Sequence, residues 1–129
     1  MHRIASHPED FDKDDVVIIE QPQAPILFIT SASSDISTLA EFIDIKENAK
    51  WKDKIRAISL SNLSHPSQID HYLSTTAINS KLIIVRLLGG KSHWSYGLEQ
   101  LIEWKNSKNN RKLIILSGTK ENQTELHEL

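Results

Sequence analysis

The chain has 129 residues, fifteen Lys and Arg against seventeen Asp and Glu, and no cysteine. That length suits a single domain. The composition, 39% hydrophobic and 25% charged, is that of a globular chain and excludes global disorder, while a formal net charge of −2 lacks the basic excess of a duplex-DNA binder and the missing thiols exclude disulfides, thiolate zinc sites, iron–sulfur clusters and thiol catalysis.

The opening Met1-His2-Arg3-Ile4 leads into acidic residues and not into an apolar signal core. The longest apolar runs, 24–29 and 82–88, are too short to span a bilayer, and the second is interrupted by Arg86. A cytoplasmic chain with no membrane or nucleic-acid partner is expected. Val16-Val17-Ile18-Ile19 lies too close to the next apolar run for a helical crossover, with Pro22 and Pro25 between them. It is expected to form an edge strand joined by a short loop.

Four β-rich apolar runs follow: Ile26-Leu27-Phe28-Ile29, Ile55 to Leu60, Leu82-Ile83-Ile84-Val85 and Leu113-Ile114-Ile115-Leu116. They read as strands buried on both faces. They start about 30 residues apart, the length of a βαβ unit, and right-handed crossovers would place them in one parallel sheet. The connecting segments carry helical spacing. Ile36, Leu39, Ala40 and Ile43 follow the capping candidates Ser33-Ser34-Asp35. Ile69, Tyr72, Leu73, Thr76 and Ala77 follow Pro66, with Ser64 or His65 as cap. Trp94, Leu98, Leu101 and Ile102 form the third stripe. Asn48–Lys54 and Asn106–Arg111 are polar connections, and Lys105, Lys108, Arg111 and Lys112 form a small basic patch expected to be a solvated helix end. Residues 120–129 are polar and acidic and are expected to be a flexible tail. The expected fold is therefore a three-layer α/β domain over residues 1–129. It is built on a mainly parallel open sheet of four to five strands, of the flavodoxin/Rossmann type.

Such sheets bind ligands at the carboxyl ends of their strands, which directs attention to Ser31–Ser34, Ser61–His65, Leu87–Ser95 and Ser117–Lys120. Gly89 and Gly90, half the glycines of the chain, stand between a strand and a helix. Paired glycines permit positive φ, so exposed N–H groups could face an anion there, with Lys91, Ser92 and His93 as further donors. The plainer reading is a tight turn with nothing bound. Gly90-Lys91-Ser92 is not a P-loop, because the motif's first glycine would have to be Val85, inside a strand. The six histidines include no i, i+4 pair and no His-Glu-x-x-His, so no metal set is assigned. His65 and His93 lie on loops of one sheet edge and could converge; otherwise His65 simply caps a helix. No paired carboxylates and no Gly-x-Ser-x-Gly occur on those loops, and no catalytic residue is assigned. Trp94 and Tyr96 are either a docking patch or the roof of the core.

The segment from Arg86 through Leu88-Gly89-Gly90, Trp94-Ser95-Tyr96-Gly97 and Glu99 resembles the Arg-Leu-Leu-Gly-Gly-x-x-x-Trp-x-Tyr-Gly-x-Glu stretch of the large subunit of aerobic cobaltochelatases (CobN-type), relatives of the magnesium-chelatase large subunit. Met1 to Ala5, Glu20 to Ala32, and Ile58–Leu63 followed by Ile69-Asp70-His71-Tyr72 are similar to the same family. Those subunits are many times longer. Their acidic proline-rich stretch is replaced here by Ser117-Gly118-Thr119-Lys120-Glu121-Asn122-Gln123-Thr124. The resemblance implies the N-terminal domain of a cobaltochelatase large subunit, either a piece of one or a short relative. It would be non-catalytic by itself and would act in interaction or substrate handling. Cobalt, ATP and a corrin precursor belong to the full complex, and no cofactor is expected in this chain. The chelatase body and AAA+ subunits are the implied partners. The residues marked for ligand or partner contact are Gly89, Gly90, Lys91, Ser92, His93, Trp94, Tyr96 and His65. The alternative is a stand-alone flavodoxin-like module for a small anion or nucleotide, using the diglycine loop.

Overall fold

A computed structural model describes residues 16–88 and 94–117, together with the backbone of 127–128. The elements run β1 (Ile26–Thr30), α1 (Ser33–Asp44), β2 (Ile55–Ser59), α2 (Pro66–Ser74), β3 (Leu82–Leu87), α3 (Ser95–Asn106), β4 (Lys112–Ser117) and β5 (His127–Glu128), with 3₁₀ turns at Lys46–Trp51 and Leu60–Leu63. The sheet order is β2-β1-β3-β4-β5. The first four strands are parallel, and β5 pairs antiparallel with β4. The expected α/β sheet is present, in the 2-1-3-4 order of flavodoxin-like doubly wound folds.

The register explains why the strands read as continuous apolar runs. Ile83 lies beside Leu27 and Leu113, and Val85 beside Ile29 and Ile115. These side chains share one face and are at most 1% exposed. Against them pack Ile69 and Tyr72 of α2 and Leu98, Leu101 and Trp104 of α3. Each large apolar side chain so buried stabilises the fold by about 1.5–3 kcal/mol relative to leaving it in water. The alternate positions, Phe28, Ala57, Ile84, Ile114 and Leu116, form a second face and are only half-buried. There α1 lies along Phe28 of β1 and Ile55 and Ala57 of β2, and none of its own residues is fully buried.

Three local expectations are corrected. The segment Val16–Ile19 is not a strand. Side chains, not a ladder, hold this stretch and the residues after it: Gln68 Nε2 donates to the Val17 carbonyl at 2.8 Å, Gln21 Nε2 to the Ala57 carbonyl at 2.9 Å, and Thr76 Oγ1 to the Gln21 carbonyl at 3.1 Å. Pro22 and Pro25 supply no N–H for a ladder. The third helical stripe continues from Leu101 to Trp104, leaving Ile102 38% exposed. The basic patch is not wholly solvated, since Arg111 is buried. Its Nη1 donates to the Trp104 carbonyl at 2.7 Å and Ser107 Oγ at 2.8 Å, and its Nη2 to the Ile78 carbonyl at 2.6 Å. Its guanidinium lies 4.6 Å from the Trp104 ring centroid. A cation among the last carbonyls of α3 is favoured by the helix dipole, and burial pulls its pKa down.

Candidate functional site: the carboxyl edge of the sheet

Strand order reverses between β1 and β3, so the crevice at their carboxyl ends is where a doubly wound fold places a ligand. Thr30 ends β1 directly opposite Arg86 of β3. The Thr30 hydroxyl accepts from the Ala32 N–H at 3.0 Å and donates to Asp35 Oδ2 at 2.7 Å, which fixes the turn into α1. By its position in the sequence Asp35 is a capping candidate for that helix. Instead α1 starts from Ala32 with no side-chain cap, and Asp35 reaches Arg86, whose Nη1 donates to Oδ1 at 2.7 Å and to Oδ2 at 2.6 Å. The Thr30 hydroxyl and the Arg86 guanidinium hold the Asp35 carboxyl below its ordinary pKa, against the opposing pull of desolvation.

Ser31 closes the same crevice. Its N–H donates to the Arg86 carbonyl at 3.1 Å, and its Oγ accepts from the Leu88 N–H at 2.9 Å. The polar groups at the reversal point therefore satisfy one another. Motif and spacing do not reveal this cluster, although one signal is visible in the sequence. Arg86 is a charge inside an apolar strand, and such a charge needs a partner.

The motif residues after the diglycine have structural partners. The Trp94 ring is 5% exposed, and its indole N–H donates to the Leu63 carbonyl at 2.8 Å. The ring lies so close over Gly97 that a Cβ there would overlap it. Tyr96 is 37% exposed and donates its hydroxyl to Asp70 Oδ1 at 2.9 Å. That bond raises the phenol's pKa. Trp94 thus ties the start of α3 to the turn after β2, and Tyr96 ties it to α2. Of the two uses open to Trp94, its place is the roof of the core.

His65 is exposed and caps α2. Its Nδ1 accepts from the Ser67 N–H at 3.2 Å, and its own N–H donates to Gln68 Oε1 at 2.9 Å. Gly89, Gly90, Lys91, Ser92 and His93 lie outside the described residues, as does any meeting of His93 with His65. Among the described residues no group of three or more His, Cys, Asp and Glu could hold a metal ion, and no helix is long and apolar enough to cross a membrane.

The chain is 36% identical over 90 residues to an aerobic cobaltochelatase subunit CobN of a Sinorhizobium species, an alignment covering 70% of this chain. This chain is a CobN-related domain. A second aerobic cobaltochelatase subunit CobN, from Pseudomonas aeruginosa, is 27% identical over 106 residues, 79% of this chain. The matches take up only 7% and 8% of the lengths of those CobN subunits. No family model matches the chain, and no solved structure matches it significantly.

Proposed function

We propose that this chain serves as the N-terminal, non-catalytic domain of a cobaltochelatase large subunit, acting in interaction or substrate handling while cobalt insertion takes place elsewhere in the assembly. The observation that carries the reading is the similarity to two CobN subunits over 70–79% of the chain. The edge chemistry supports it. Arg86, the charge at the reversal point, is already engaged by Asp35. Thr30 and Ser31 spend their hydroxyls on the protein's own backbone and carboxylate. Paired in this way, these groups act as a tie between β1, α1 and β3. The small-anion or nucleotide module would use the diglycine loop, which lies outside the described residues.

In this reading cobalt and a corrin precursor are substrates of the whole assembly. ATP is consumed by AAA+ partner subunits, and the site of action is the cytoplasm. A domain of 129 residues with one open sheet edge does not enclose a macrocycle and exclude water from it.

The test is a graft. The matching region of the Sinorhizobium CobN subunit is replaced by this chain, and cobalt insertion is compared with that of the same subunit carrying a deletion there. The graft is expected to retain most of the parental insertion rate and the deletion to lose it. A folded graft as inactive as the deletion would overturn the proposal.

A further inference from the structure

The second face of the sheet is written for a cover that the described residues only half provide. Parallel sheets are buried on both faces, and β3 and β4 carry apolar side chains on both. On the first face Ile83, Val85, Leu113 and Ile115 are sealed; on the second, Ile84, Ile114 and Leu116 remain half-buried. Helix α1 covers β1 and β2 and leaves a groove of about 590 Å³ between itself and β3, with Phe28, Leu39 and Phe42 on its apolar side. Phe42 is 43% exposed although it points into that groove. Two strands spaced about 4.8 Å apart present a strip roughly 10 Å wide, the diameter of one helix.

We infer that this strip and groove seat one amphipathic helix from the body of a CobN-type large subunit, an inference that rests on the reading proposed above. Two observations select this occupant. The CobN subunits that match this chain carry the matching region within polypeptides of which it is only 7–8%, so the domain is used beside a far larger body. The strip is also apolar along its length, with charge only at its ends, where Arg86 and Lys112 share the face. That pattern suits a helix with one apolar stripe.

The chain contains no cysteine, which allows single thiols to report on the surface. Phe42→Cys and Leu116→Cys are placed on the second face. Ile102→Cys, on α3 over the first face, is the control. Alkylation rates are read by peptide mass, in the isolated chain and in the full-length CobN graft. The expected result is labelling at least tenfold slower in the graft at positions 42 and 116, with position 102 unchanged. Equal rates in the two settings overturn the inference. Slow labelling in the isolated chain that speeds up on dilution assigns the face to a second copy and also overturns it. Slow labelling there at every dilution assigns the face to the chain's own residues and overturns it as well. Cobalt insertion by the graft is scored separately. An active graft with an unprotected face sinks only the surface. An inactive graft with a protected face sinks only the chelatase reading.

Discussion

Replacing Gly97 by alanine sets two effects of opposite sign against each other. In an exposed helix interior, alanine is favoured over glycine by about 1 kcal/mol. Here the new Cβ would fall on the Trp94 ring. That ring cannot simply swing aside, because it is 5% exposed and hydrogen-bonded to the Leu63 carbonyl. Overpacking of this kind costs about 1–3 kcal/mol. Breaking the indole bond and leaving a buried carbonyl unpaired adds about 1–3 kcal/mol. Net of the helix gain, Gly97→Ala should destabilise the domain by about 1–5 kcal/mol, centred near 3 kcal/mol. Urea unfolding followed by tryptophan fluorescence reads the central value of about 3 kcal/mol as a midpoint lowered by roughly 1–3 M, for a slope of about 1–3 kcal/mol/M. In a Trp94→Leu background the cost should largely vanish and the helix gain should emerge. A Gly97→Ala variant at or above the parental midpoint, with Trp94 in place, would refute the reasoning.

Two further outcomes are expected. Tyr72 is 2% exposed and its hydroxyl has no hydrogen-bond partner among the described residues, and burial pushes its pKa up; Tyr72→Phe should therefore leave stability unchanged or raise it by up to about 2 kcal/mol, and a loss above about 1 kcal/mol in urea unfolding would reveal a bond that the packing does not show. Asp35→Asn should cost about 1–2 kcal/mol at pH 7, discounting for partial exposure. The Asp35 carboxyl has a lower pKa folded than unfolded, so its contribution is present above the unfolded value of about 3.8 and is lost as pH falls through the folded one. The midpoint gap between parent and variant should thus close on acidification below pH 3.8, and a gap constant from pH 7 to about 2 would contradict the assignment.

Much of the layout is legible in the sequence because it is local. Four apolar runs at βαβ spacing, Pro66 with His65 ahead of it, and the stripe through Leu98 and Leu101 each depend on residues within a few turns of one another. The departures fall where partners are distant. Asp35 reads as a cap in its own helix but pairs with Arg86, 51 positions away. Val16–Ile19 reads as a strand, yet its neighbourhood is held by Gln68 and Thr76 side chains. Arg111 reads as surface charge but lies buried against Trp104.

The amino-acid order alone determined the four parallel strands, their common direction and the edge at which their loops gather, because hydrophobic periodicity and short right-handed crossovers act at short range. It also carried the CobN-like motif. Only the folded molecule decided what that motif does physically: Trp94 must lie over a residue without a side chain, and Gly97 is that residue. Only the folded molecule, too, separated a sealed face from a half-covered one, since the runs in β3 and β4 look alike on both sides and burial depends on which helices return to which face.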